Sequence, residues 1–171
     1  MSRLFEGIKI YLKYVNAIIF VLIFYGLIVL ISYSAIAIVN LYSGAGQFEG
    51  ADLSKLSYLR KFIIVVFAIP IAETVFFQYL VIKLSQHFFK IRSVSIFLSA
   101  FCFGFSHLYS LTYFVTGIFV GLIFAICFTI AECRKESSII LVASVHALYN
   151  LSTLILNDAW NLGQKIILSN N

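Results

Sequence analysis

The sequence predicts an all-α fold: a polytopic transmembrane helical bundle of about five spans, preceded by an amphipathic helix lying in the membrane interface. Two observations predict it. Of the 171 residues, 62% are hydrophobic and only 11% are charged, whereas a soluble domain is about half apolar and a quarter charged. So little polar surface cannot cover a water-soluble globule. The apolar residues are also gathered into continuous runs of about 20 residues, the length that crosses a bilayer as a helix, and do not alternate as the strands of a membrane barrel do.

The elements follow in order. Over residues 1–16, Leu4, Ile8, Tyr11, Leu12 and Val15 recur at helical spacing opposite Arg3, Lys9 and Lys13, the pattern of an interfacial helix. Spans are expected at 17–39, 62–84, 94–110, 111–131 and 138–157. Residues 40–61 form the one sizeable loop, with Gly44, Gly46, Gly50, Glu49 and Asp52, and residues 158–171 form a C-terminal tail. One proline and nine glycines leave no room for a disordered linker, so a single domain is expected. The apolar run after residue 16 is too long for a signal peptide and no small-residue cleavage site precedes it, so the segment is kept in the mature chain. The three cysteines are an odd set; Cys102 and Cys127 lie in apolar runs, and Cys133 lies in a charged turn, so no disulfide framework is expected.

The net charge of +5 comes from 12 Lys and Arg scattered between apolar runs, not from a stripe that could follow nucleic acid. These cations set topology instead. Arg3, Lys9, Lys13, Lys83, Lys90, Arg92, Arg134 and Lys135 fall on one side; Lys55, Arg60, Lys61 and Lys165 fall on the other. The positive-inside rule then puts the N-terminus in the cytoplasm, and the expected location is a bacterial cytoplasmic membrane.

Among the seven acidic residues only Glu73 falls at the middle of a span. An ionised carboxylate there costs about 2.5–3.5 kcal/mol on insertion scales, so it needs a partner, a proton or a water-filled cavity. His107 and His146 also lie within expected spans, whereas His87 sits in a basic turn at the interface. His146 and Asn150 are four apart and share one helix face, as do Phe103 and His107. Pro70, three residues before Glu73, removes a backbone donor and is expected to free the carbonyl of Val66 and bend the second span. Gly117 and Gly121 are spaced for close helix packing.

Singly, each of these polar groups could be an interhelical hydrogen-bonding residue. Together, one Glu, two His and one Asn on three helices point to a site. A carboxylate and an imidazole can hold and deprotonate a water, while a second imidazole and an amide NH₂ can donate to a developing oxyanion. That set suits amide hydrolysis. Glu73, His107 and His146 could instead ligate zinc with water in the fourth position, although no His-Glu-x-x-His motif is present.

Four ordered segments carry a family resemblance: Pro70-Ile71-Ala72-Glu73-Thr74-Val75-Phe76-Phe77-Gln78, Phe103-Gly104-Phe105-Ser106-His107, Phe114-x-x-Gly117-x-x-x-Gly121, and His146-Ala147-Leu148-Tyr149-Asn150. They resemble the motifs of the CPBP family (CAAX protease and bacteriocin-processing, or Abi) of intramembrane endopeptidases, over a catalytic core at 62–157; residues 1–61 contribute nothing to the likeness. The resemblance implies a glutamate-type protease in which Glu73 and His107 activate water and His146 and Asn150 form the oxyanion site. It implies no catalytic metal, with zinc as the alternative cofactor. The substrate would be a membrane-associated protein or peptide, with membrane lipids the other partners.

The chain departs from the common Glu-Glu-x-x-x-Arg first motif, since Thr74 stands for the second Glu and Gln78 for the Arg. The ion pair at i and i+4 thereby becomes a neutral pair expected to hydrogen-bond. The altered motif keeps open a non-proteolytic immunity or partner-binding role on the same fold. A proton or ion carrier would use the same groups as a relay, but five spans without an internal repeat disfavour it.

Overall fold

The computed structural model describes residues 2–43 and 55–169. Gly44, Gly46, Gly50, Glu49 and Asp52 of the expected loop lie outside them. Every regular element among the described residues is helical: α1 (Ser2–Tyr14), α2 (Ala17–Ser43), α3 (Tyr58–Phe89), α4 (Arg92–Phe105), α5 (Leu111–Ala131) and α6 (Ser138–Ser169). The chain is an integral membrane helical bundle. Four helices, α2, α3, α5 and the stretch of α6 to Asn157, are long and apolar enough to cross a bilayer.

The expected third span at 94–110 is shorter than its apolar run. Helix α4 has 14 residues, which at about 1.5 Å each is some 21 Å, against a hydrocarbon core of about 30 Å. Ser106 ends it: its hydroxyl donates to the Phe103 carbonyl at 2.7 Å, while the His107 N–H reaches back to Gly104. The chain then turns through 106–110, and Ser110 caps α5 by accepting from the Tyr113 N–H at 3.2 Å. His107 therefore sits in a turn, not within a span.

Helix α5 is apolar on all sides, which in a bundle marks the central helix. It packs against α2, α4 and α6, and 56% of its most apolar window is buried, against 22–33% in the other three spans. Phe124 and Phe128 on α5 meet Phe20, Phe24 and Ile28 on α2 and Val142 and Val145 on α6 in one core. The α4–α5 crossing is close because its contact points are glycines. A methyl group at Gly117 would lie 3.2 Å from the Gly104 Cα, and one at Gly121 would lie 2.9 Å from the Phe103 Cβ.

Two contacts fix which helix ends lie together. The buried Arg134 guanidinium donates to the carbonyls of Leu12, Lys13 and Val15, pairs with Glu136 at 3.0 Å and covers the Phe20 ring. Lys83 pairs with Glu132. The α1–α2 junction, the lower end of α3 and the α5–α6 turn thus share one end of the bundle, the grouping on which the charge count rests. Helix α1 buries Leu12 in the core, while Ile8, Ile10 and Tyr11 remain exposed.

Candidate active site

Helix α3 places Glu73 with fifteen residues before it and sixteen after it, at mid-depth. The helix is not uniform there. Two π-helical segments, Ile64–Ala68 and Thr74–Leu80, flank an α-helical turn, Ile69–Glu73, that begins beside Pro70. Such wide turns gather at functional sites. The carbonyl taken up by another residue is that of Val65, not Val66, because α spacing does not hold in this stretch; the Asn150 Nδ2 donates to it at 2.9 Å.

Glu73 and His146 come together across the α3–α6 contact, with Oε2 3.5 Å from Nε2. The ring of His146 is buried against Phe124 at 4.5 Å and Phe103 at 5.8 Å between centroids. His107 lies on the other side of Phe103, 4.7 Å from it, and stacks on Tyr113. Its Nδ1 is 2.8 Å from the Phe103 carbonyl. A carbonyl only accepts, so Nδ1 carries the proton of this bond, and the neutral form of the ring has its lone pair on Nε2. The helix end that places His107 in a turn thus also sets its tautomer.

Both histidines line a cavity of about 460 Å³ bounded by α2, α4, α5 and α6. Glu73 and Asn150 do not line it; they stand behind His146, toward α3. The far wall comes from α2, where Tyr25, Val29, Ser32, Tyr33, Ile36 and Asn40 form one stripe. Their spacing of 4, 3, 1, 3 and 4 is that of a single helix face. This wall lies in the part of the chain with no family likeness, and it faces Tyr149 of α6 across the cavity. The polar members of the stripe were the available signal in the sequence. Thr116 also lines the cavity from α5.

Of the motif-supporting residues, Phe103 separates the two histidines and Gly117 lies against His107, whose Cβ a methyl group there would meet at 3.4 Å. Gly121 receives Phe103. The glycine spacing is therefore part of the site's construction. Thr74 and Gln78 are fully buried, yet the Thr74 hydroxyl and both polar ends of the Gln78 amide have no hydrogen-bond partner among the described residues. The expected Thr74–Gln78 bond does not form: both lie in the π-helical segment, where the α-helical i,i+4 relation on which it rested is lost. His87 is exposed at the end of α3.

As for zinc, no three His, Cys, Asp or Glu side chains among the described residues are grouped so that they could hold a metal ion. The Nδ1 bond of His107 to Phe103 leaves its Nε2 available to a ligand, but Glu73 and His146 make a pair rather than a triad.

Fold and site together define a polytopic membrane protein with a Glu–His pair at the middle of its bundle. Residues 55–152, more than half of the chain, match the Rce1-like family, described as type II CAAX prenyl endopeptidase Rce1-like. The chain belongs to this family. No curated protein and no solved structure matches it.

Proposed function

We propose that the chain is an intramembrane endopeptidase that hydrolyses a peptide bond of a membrane-associated protein or peptide. The observation that carries the reading is convergence: Glu73 from α3 meets His146 from α6 at 3.5 Å, and His146 and His107 face one cavity. Family membership supports the same reaction class.

In the proposed reaction, Glu73 and the Nε2 of His107 take the proton of a water whose oxygen attacks the substrate carbonyl carbon, which requires Glu73 to turn from behind His146 toward the cavity that His107 lines. His146, which lines the cavity, donates to the oxyanion, and the second N–H of the Asn150 amide joins it once the substrate reaches past His146 toward α3. The C–N bond then breaks as the retained proton passes to the leaving nitrogen, and a carboxylic acid and an amine depart. Fixed donors matter more here than in water, because little solvent is present to stabilise the developing charge. No step uses a metal. The charge count supports an N-terminus in the cytoplasm.

The test is cleavage of a peptide library by protein purified in detergent, comparing wild type with Glu73→Gln and His146→Ala. Product formation by wild type alone is expected. Equal cleavage by all three sinks the proteolytic reading and leaves the immunity or partner-binding role.

A further inference from the structure

Pro70 has no N–H to give, and the winding around it decides which carbonyl is left bare. In an α-helix that carbonyl would belong to Val66, four residues back. Here Ile64–Ala68 is π-helical, and the Ile69 N–H closes on the Ile64 carbonyl, five residues back. The N–H of residue 70 would accordingly close on Val65. A proline cannot make that bond, and Val65 is the carbonyl to which Asn150 donates at 2.9 Å. The donor missing from α3 is supplied by α6.

From this match of register and partner we infer that Asn150 is a positioning residue: by filling the Val65 carbonyl it holds the wide turn at Pro70, and with it the rotation of α3 that presents Glu73 to His146. Each residue of a helix turns the next side chain by about 100°, so a turn that tightens from π to α spacing would swing Glu73 away. Only the one α-helical turn Ile69–Glu73 separates Pro70 from the carboxylate, and nothing in between could absorb that rotation. Asn150 and His146 are one turn apart on α6. The helix that carries the partner of Glu73 therefore also carries the anchor that aims Glu73 at it.

The inference adds a second duty for Asn150 to the site proposed above. Three variants test it in detergent: Asn150→Leu, which removes the donor and keeps the branched skeleton; Pro70→Ala, which restores an N–H; and the double variant. One readout is the melting temperature. The other is modification of Glu73 by a carbodiimide, counted by mass spectrometry against Glu132, which a loss of packing alone would not move selectively.

Asn150→Leu is expected to lower the melting temperature and to change the Glu73 to Glu132 ratio. Pro70→Ala is expected to raise the melting temperature more in the Asn150→Leu background than in wild type, since residue 70 then satisfies the carbonyl itself. If Asn150→Leu does not fold, recovery of folded protein in the double variant supports the inference and failure of both overturns it. An unchanged labelling ratio in Asn150→Leu, or losses that simply add in the double variant, also overturns it. Neither readout uses cleavage, so failure here is distinct from failure of the proteolytic reading.

Discussion

The α4–α5 crossing offers a perturbation whose size can be worked from the structure. In Gly117→Ala, the new methyl group meets the Gly104 Cα at 3.2 Å and the His107 Cβ at 3.4 Å. The first is backbone and cannot rotate away, so the helices must part by a few tenths of an ångström. Overpacking of this kind costs about 1–3 kcal/mol, and the better helix propensity of alanine returns about 1 kcal/mol, leaving a net loss of about 0–2 kcal/mol. The effect on chemistry is larger than that on stability, because His107 is carried on the turn that must move. A misplacement near 1 Å costs about 100-fold in rate; a few tenths should cost about three- to tenfold. Gly26→Ala on α2 is the control, since a methyl group there has nothing within 4 Å. Melting in detergent and cleavage rate, measured side by side, decide the matter. Gly117→Ala matching Gly26→Ala in both would refute the reasoning.

Other outcomes follow from the same contacts. Arg134→Lys should destabilise the bundle by at least about 2 kcal/mol, the worth of one or two bonds to a charged group, because an ammonium cannot span three carbonyls and Glu136 as the guanidinium fork does; melting temperature checks it. The hydrogen bond from Arg134 holds the Glu136 carboxyl below its usual range. A depressed carboxylate contributes stability above its unfolded pKa of about 4.3 and loses it as pH falls through the folded value. Wild type should therefore lose stability below about pH 4 by a small increment absent from Glu136→Gln, measured as melting temperature against pH. For topology, cysteines replacing Lys13 and Lys135 should react with an impermeant maleimide from one side of the membrane, and one replacing Tyr109 from the other.

Long apolar runs were legible in the sequence because a bilayer demands them: 111–131 coincides with α5. The depth of Glu73 and the shared face of His146 and Asn150 were legible for the same reason, since one helix period fixes both. What escaped was set by local departures from that period. The end of α4 at Phe105 depends on a serine hydroxyl and a ring nitrogen competing for one carbonyl, which apolarity does not encode. The π-helical turns moved the freed carbonyl by one residue and left Thr74 and Gln78 without the hydrogen bond expected of an i,i+4 pair. The α2 wall was hidden because its residues acquire a role only through α6, more than a hundred residues later.

These departures fall together, and the bilayer explains why. Irregular backbone at membrane depth leaves polar groups that lipid cannot satisfy, so it survives only where protein or a water-filled cavity covers it. The Pro70 turn is covered by Asn150, and the end of α4 by Ser106 and His107. Each cover is a polar side chain that would itself be costly in lipid. Backbone breaks and polar side chains thus stabilise one another on either side of His146. A single proline and a short helix, both faults in a membrane span, account for the place at which the chain gathers a glutamate and two histidines.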